Sequence, residues 1–301
     1  MENHKFSGTG VAVVTPFKKD KSIDFPALEK LIEHLIANKV DYLVVLGTTA
    51  EGATQTSEEK NELVQFFKKI NNKRVKLIIG MGGNNTYEIT GSIKEFDFDG
   101  ISGILSVCPY YNKPNQKGLY EHFSEIAKVS PVDIILYNVP GRTGSNMAAE
   151  TTLQLAREFS NIVAIKEASG NFGQIGRICN NKPKHFAVIS GDDALTLPLI
   201  SIGASGVISV TANAFPDLMS KMVHHALKGN LFTARNLHYD LLDIINTLFE
   251  EGNPAGIKAA LQILGIIDNN LRLPLTPLSQ TTFIKLAKQM KKLDTKRHIR
   301  D

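Results

Sequence analysis

The chain has 301 residues, of which 43% are hydrophobic and 21% are charged, the balance of an ordinary globular protein. This composition excludes disordered, collagen-like and coiled-coil proteins. The 34 basic and 30 acidic side chains give a formal net charge of +4. Part of the basic excess lies in residues 288–300, which we interpret as a solvated terminal helix rather than a nucleic-acid-binding surface.

The two cysteines, Cys108 and Cys179, lie far apart and outside any Cys-x-x-Cys motif. This spacing excludes a zinc ribbon, an iron–sulfur cluster and a disulfide-rich secreted scaffold. The polar residues 1–5 and the lack of an 18-residue apolar run predict neither a signal peptide nor a transmembrane helix. We therefore expect a cytoplasmic protein that binds neither membranes nor nucleic acid.

Short apolar runs alternate with longer amphipathic runs from residue 9 to about residue 228. Eight strands are predicted, at 9–15, 42–45, 76–79, 103–107, 133–137, 162–166, 186–189 and 206–210. Helices are predicted at 25–37, at 58–70 with Ser57 as N-cap, and at 118–128, 148–158, 172–179, 194–202 and 216–228.

Nearly continuous apolar strands that alternate with helices are typical of a parallel sheet covered by helices, and eight such units favour a closed (β/α)8 TIM barrel. A doubly wound open sheet is the alternative, but the first strand-to-helix turn, at 15–18, lacks the glycine fingerprint of a dinucleotide site. Three more helices are predicted at 231–249, 254–264 and 280–292. We therefore divide the chain into a barrel, residues 1–228, and a C-terminal helical domain, residues 229–301.

Lys166 is the most informative candidate catalytic residue, because the active site of such a barrel lies at the carboxyl ends of its strands. Lys166 follows the apolar run 162–165, so burial would disfavour its charged ammonium form. A neutral amine attacks carbonyl carbon, which is the first step of Schiff-base enzymes. The alternative is a structural lysine paired with Glu167.

Two other strand ends offer groups that suit this chemistry. Tyr137 carries a phenol able to transfer protons, although it also suits an aromatic barrel cap. Thr48 and Thr49 offer hydroxyls and turn amides for a small carboxylate, or form only a helix-entry turn. Arg142 suits bidentate recognition of a second carboxylate at the barrel mouth, or is a solvated surface arginine.

Metal chemistry is the main competing interpretation. None of the eight histidines falls at the carboxyl end of a predicted strand, and no His-Glu-x-x-His motif occurs. Asp192 and Asp193 could ligate Mg²⁺, but their place after Gly191 favours helix N-capping. The sequence therefore predicts a lysine-based mechanism without a metal.

Five motifs, at residues 47–51, 109–114, 137–144, 165–170 and 190–193, resemble those of the dihydrodipicolinate synthase family. The wider superfamily includes sialic acid lyases and 2-keto-3-deoxy sugar acid aldolases, which share the lysine and the tyrosine. Arg142 favours the synthases, because the sialic acid lyases usually lack this arginine and carry Gly-Ser-Thr where this chain has Gly47, Thr48 and Thr49. A sugar-acid lyase and a catalytically idle barrel used for binding stay open as alternatives.

The resemblance implies a condensation of pyruvate with L-aspartate 4-semialdehyde in lysine and diaminopimelate biosynthesis. It implies that Lys166 forms an imine with pyruvate, without any further cofactor. Tyr137, Thr49 and Tyr111 would form a proton relay, with Tyr111 supplied by a neighbouring subunit of a homodimer or homotetramer.

The resemblance also implies where the two substrates bind. The pyruvate carboxylate would lie on Thr48 and Thr49, with the backbone carbonyls of Gly191 and Ile208 lining the pocket. Arg142 would hold the carboxylate of the aldehyde substrate.

A degenerate allosteric lysine site at the dimer interface is a further implication of the resemblance. Its positions are occupied here by Gly52, Ala53, Ser57, Lys60, Asn84, Glu88 and Tyr110. The last three match the family, whereas Lys60 would repel the ammonium group of lysine. We therefore expect weak or absent feedback inhibition.

Overall fold

A computed structural model describes residues 4–298, in which eight parallel strands form one closed barrel in chain order. The barrel closes because the last strand pairs with the first, with Thr9 opposite Val207. The strands are β1 (Gly8–Ala12), β2 (Tyr42–Val45), β3 (Lys76–Gly80), β4 (Gly103–Val107), β5 (Asp133–Asn138), β6 (Ile162–Glu167), β7 (Ala187–Ser190) and β8 (Gly206–Ser209).

Helices follow every strand of the barrel, and three more helices complete the described chain. They are α1 (Phe25–Ala37), α2 (Ser57–Asn71), α3 (Thr86–Glu95), α4 (Gln116–Val129), α5 (Pro140–Thr143), α6 (Ala149–Glu158), α7 (Phe172–Asn181), α8 (Thr196–Ser201), α9 (Pro216–Leu227), α10 (Leu231–Phe249), α11 (Ala255–Ile263) and α12 (Gln280–His298). The predicted (β/α)8 barrel with a C-terminal helical appendage is confirmed.

Two helices were not predicted from the sequence. Helix α3 contains Gly91 and several β-branched residues, which have low helix propensity, and the side chain of Asn85 caps its first turn by accepting a hydrogen bond from the Tyr87 amide. Helix α5 is a single turn that begins at Pro140. Both lie between strands that were predicted, so the barrel topology is unaffected.

The predicted N-cap of α2, Ser57, is wrong by one residue. Thr56 is the cap: its hydroxyl accepts from the Glu59 amide, and the Glu59 carboxylate accepts from the Thr56 amide. Only Thr56 has a glutamate three residues later, so the reciprocal capping box selects it.

Most other predicted boundaries lie within three residues of the observed ones. Strand β1 ends at Ala12 instead of residue 15, and the Val14 amide donates to the Asn213 side chain. Helix α12 continues six residues past the predicted end. The final residues of the predicted basic helix, 299–300, and the start of the polar N-terminus, 1–3, lie outside the described residues.

The core has two layers, one between the barrel and its helices and one inside the barrel. At the amino-terminal end of the barrel, the rings of Phe6 and Tyr42 meet edge to face, 5.9 Å apart. Gly10 makes room for this packing, because a Cβ atom there would lie 2.0 Å from the Tyr42 ring. The aromatic pair fills this end of the interior and leaves the carboxyl end for a cavity.

The predicted domain boundary at residues 228 and 229 falls in the turn between α9 and α10. Helix α10 packs on both α9 and α12. The division into two domains stays a prediction. Within the part of the chain that the structure describes, no helix is both long and apolar enough to span a membrane.

Candidate active site

A cavity of about 410 Å³ opens at the carboxyl end of the barrel. Strand ends, the turn after β2 and helix α10 form its wall. Its polar lining includes Thr48, Thr49, Tyr137, Arg142, Lys166, Asp192, Asn246, Glu250 and Asn253. Five of these are site residues predicted from the sequence: Thr48, Thr49, Tyr137, Arg142 and Lys166.

Lys166 and Tyr137 face each other at the base of this cavity. They are direct partners in the parallel pairing of β5 with β6. The Lys166 Nζ atom lies 4.4 Å from the centre of the Tyr137 ring. The two residues are 5% and 7% exposed, so the amine and the phenol are largely buried where they line the cavity.

The alternative pairing of Lys166 with Glu167 is wrong. Successive side chains of a strand point to opposite faces, and Glu167 is fully buried on the side away from the cavity. Its Oε1 atom accepts hydrogen bonds from Asn138 Nδ2 and Gln174 Nε2, both at 2.9 Å. These amides satisfy the carboxylate, so the Lys166 amine is left to the cavity.

Gly191 leaves space for the Lys166 side chain in the cavity wall. A Cβ atom at residue 191 would lie 3.1 Å from Lys166 Cε and 2.8 Å from the Ala168 side chain. Gly191 lines the cavity as predicted. The Ile208 side chain packs in the apolar cluster inside the barrel, and the segment after β8 lines the cavity at Val210. The role of the Ile208 carbonyl stays a prediction.

Thr48 and Thr49 lie in a 3₁₀ turn, Thr48–Ala50, directly after β2. Thr49 is buried, and its Oγ1 atom accepts a hydrogen bond of 2.9 Å from Asn253 Nδ2. Asn253 was not predicted as a site residue, because it follows α10 and no sequence motif links it to the turn.

Behind this turn lies a buried ion pair. Glu51 contacts Lys258 Nζ at 2.5 Å, and both side chains are fully buried. The Lys258 ammonium also donates to the Asn270 carbonyl at 2.9 Å. Burial lowers the pKa of Lys258 to about 8, because desolvation disfavours the ammonium and outweighs the attraction of Glu51.

Arg142 lies on the short helix α5, exposed at the cavity mouth. Its side chain lines the same cavity as Lys166. The chain folds back here because Gly144, with φ of 67°, ends the helix in a left-handed conformation.

Asp192 and Asp193 stabilise backbone after β7. Asp192 Oδ1 accepts from the Ala194 and Leu195 amides at 2.9 and 3.3 Å and so stabilises a turn. The predicted helix N-capping is wrong, because α8 begins only at Thr196 and its N-cap position, Leu195, has no side-chain cap. Asp193 Oδ2 accepts from the Thr211 amide and hydroxyl. Burial raises the pKa of Asp193. Among residues 4–298 no group of three or more His, Cys, Asp or Glu side chains is arranged to hold a metal ion.

Comparison with known proteins adds to this geometry. The model of the dihydrodipicolinate synthetase family matches residues 5–293. The chain belongs to this family. Over 98% of its length it is 49% identical to the whole of a relative from Parabacteroides distasonis named 4-hydroxy-tetrahydrodipicolinate synthase.

Solved structures of the family share the fold. Dihydrodipicolinate synthase from Aquifex aeolicus superposes with a TM-score of 0.93 at 42% identity, covering 96% of this chain and 98% of that one. The enzyme from Acinetobacter baumannii, solved in complex with pyruvate, superposes with a TM-score of 0.92 at 39% identity, covering 96% and 99%.

Tyr111 does not line the cavity of its own chain. It lies in the loop between β4 and α4 with φ of 71°, and its side chain is 89% exposed. Tyr110 beside it is 43% exposed. Two neighbouring aromatic side chains held in solvent at the barrel mouth are available to a second subunit.

The predicted allosteric positions lie on adjacent loops and helices at the same end of the barrel. Asn84 Nδ2 donates to the Tyr110 carbonyl at 3.2 Å, and Glu88 lies exposed on α3. The remaining members lie in the turn after β2 and at the start of α2: Gly52, Ala53, Ser57 and Lys60. Asn84 and Tyr110 are therefore linked by a direct hydrogen bond.

Proposed function

We propose that the protein has 4-hydroxy-tetrahydrodipicolinate synthase activity and condenses pyruvate with L-aspartate 4-semialdehyde in lysine and diaminopimelate biosynthesis. The observation that carries the proposal is the buried Lys166 amine, facing Tyr137 at the base of the cavity. The full-length similarity to enzymes of that name supports the same reaction.

The reaction begins when the Lys166 amine attacks the keto carbon of pyruvate. The tetrahedral adduct then loses water to give an imine. The hydroxyls and amides of Thr48 and Thr49 are suited to hold the pyruvate carboxylate beside Lys166.

Proton transfer then turns the imine into a nucleophile. The methyl carbon of the bound pyruvate loses a proton and becomes an enamine. We assign this transfer to Tyr137 and Thr49, with Tyr111 of a neighbouring subunit completing the relay. The proposed active unit is therefore at least a homodimer.

The second half of the reaction forms the ring. The enamine carbon attacks the aldehyde of the second substrate, whose carboxylate Arg142 is placed to bind as a bidentate partner. The substrate amine then attacks the imine carbon and displaces the Lys166 amine, which closes the ring and frees the enzyme. The water released in imine formation balances the overall condensation, and no cofactor is needed.

Borohydride trapping tests the proposal. The protein is incubated with pyruvate and reduced, and the adduct is located by peptide mapping. We expect one adduct on Lys166 and none in Lys166→Ala, while the control Lys68→Ala, changed at a surface lysine of α2, is trapped like the wild type. A folded wild-type protein without an adduct would refute the imine mechanism.

Turnover measurements assign the second substrate. We expect aspartate semialdehyde to be consumed with pyruvate, and N-acetylneuraminate and 2-keto-3-deoxygluconate to be left uncleaved. Cleavage of either sugar acid by a protein that ignores the semialdehyde would establish the lyase alternative instead.

A further inference from the structure

The turn that carries Thr48 and Thr49 is contacted twice by one segment of the C-terminal part, Asn253–Lys258. Asn253 Nδ2 donates to Thr49 Oγ1 at 2.9 Å. Five residues later Lys258 contacts Glu51 at 2.5 Å. The segment therefore binds the turn at its middle and at its end.

Glu51 ends the turn in an unfavourable backbone conformation. Its φ of 57° lies in the left-handed region, which residues other than glycine seldom adopt. Its Oε2 atom accepts from the Arg272 amide at 2.9 Å, and Lys258 approaches Oε1. Two fixed partners thus hold the carboxylate and, with it, the backbone on which Thr49 lies.

Three neighbouring groups restrict the orientation of the Lys258 ammonium. It donates to the Asn270 carbonyl, contacts Glu51 and lies 4.3 Å from the centre of the Phe17 ring. A buried ion pair adds less stability than apolar side chains of the same size, because both charges lose their hydration. The charged pair instead requires a fixed orientation of its two side chains. This requirement suits a turn that must keep one geometry.

The Asn253 contact also fixes the polarity of the Thr49 hydroxyl. A hydroxyl has one hydrogen, and Thr49 Oγ1 accepts from Asn253. The Thr49 hydrogen is therefore free to point into the cavity that Lys166 and Tyr137 line. A donor in this position suits the carboxylate of bound pyruvate.

We propose that Asn253 and Lys258 are positioning residues: Lys258, through Glu51, and Asn253, directly, hold the Thr48–Thr49 turn in the geometry that binds pyruvate. The proposal rests on the proposed function, because it concerns binding of the substrate that forms the Lys166 imine. Neither residue is assigned a chemical step.

Borohydride trapping over a series of pyruvate concentrations tests the proposal. The main variant is Glu51→Gln/Lys258→Met, which removes both charges and leaves no unpaired ion in the core. Asn253→Ala is the second variant. Lys68→Met is the matched control, because it removes a lysine that pairs with Asp97 on the surface. Circular dichroism checks that each variant is folded.

We expect both variants to need about tenfold more pyruvate for half-maximal trapping, because small displacements of positioning groups have large effects. The KM for aspartate semialdehyde, which depends on Arg142, should change less than twofold. This split separates positioning from general loss of structure, which would affect both substrates.

A pyruvate dependence within threefold of the wild type in either folded variant would overturn the proposal, as would equal effects on both substrates. In these cases the wild type still forms the imine, so the proposed function stands. A wild-type protein that forms no imine would overturn both proposals.

Discussion

His122 is expected to make the protein sensitive to acid. This residue of α4 is buried, with Nδ1 at 2.8 Å from Thr86 Oγ1 of α3 and with Nε2 out of contact with any hydrogen-bond partner among the described residues. Burial lowers the pKa of His122 from 6.5 to about 4. The folded chain therefore holds this ring neutral at pH values where the unfolded chain protonates it.

The sign and size of the effect follow from proton linkage. Between pH 6.5 and about 4 the unfolded chain binds more protons at this site, so the free energy of unfolding falls as the pH falls. The difference in pKa corresponds to about 3 kcal/mol once the pH reaches 4. Of this, about 2 kcal/mol should be lost between pH 7 and pH 4.5.

Urea unfolding at pH 7 and pH 4.5, at one protein concentration, measures this loss. In His122→Asn the amide occupies the place of Nδ1 and keeps a partner for Thr86, but it does not titrate. The acid-induced loss should therefore be about 2 kcal/mol smaller in this variant than in the wild type. His185→Asn, changed at an exposed histidine, is the control and should behave like the wild type. Equal losses in wild type and His122→Asn would refute the reasoning.

Three further predictions concern the site. Arg142→Lys keeps the charge but loses the bidentate geometry, so the KM for aspartate semialdehyde should rise about tenfold while pyruvate trapping is unchanged; an equal rise for pyruvate would contradict the assigned role. Free lysine should inhibit weakly because Lys60 presents a like charge, and half-inhibition well below millimolar in a lysine titration would show this to be wrong. Tyr111→Phe and Lys166→Ala should each be inactive alone, yet co-refolded mixtures should regain about one quarter of the activity, because half of the dimers then contain one complete site. Mixtures that stay inactive would place the relay within a single chain.

The barrel was predictable because its signal is local and repeated. Each strand is a short apolar run. Only helices with weak helix propensity were not predicted, and α3, which contains Gly91, is an example. The N-cap of α2 was also within reach of the sequence, since Thr56 and Glu59 have the spacing of a capping box. Strands, helices and N-caps depend on residues that are close together in the chain. The sequence alone therefore contains the information needed to predict them.

The sequence predicted only those site residues that lie at or just after the carboxyl ends of strands. Lys166 and Tyr137 lie next to the carboxyl ends of adjacent strands, so the topology brings them together. Asn253 and Lys258 were missed because they reach the turn after β2 from about 200 residues away in the chain. Neither local pattern nor composition encodes such a contact, which exists only once the C-terminal helices pack on the barrel.

The aromatic pair Phe6 and Tyr42 closes the amino-terminal end of the barrel. Both substrates and the product must therefore use the same opening. In the proposed reaction pyruvate forms its imine with Lys166 at the base of the cavity, so pyruvate enters first and the aldehyde follows past Arg142. An aldehyde molecule that enters before pyruvate blocks the route to the amine, so excess aldehyde should slow turnover and added pyruvate should relieve the block.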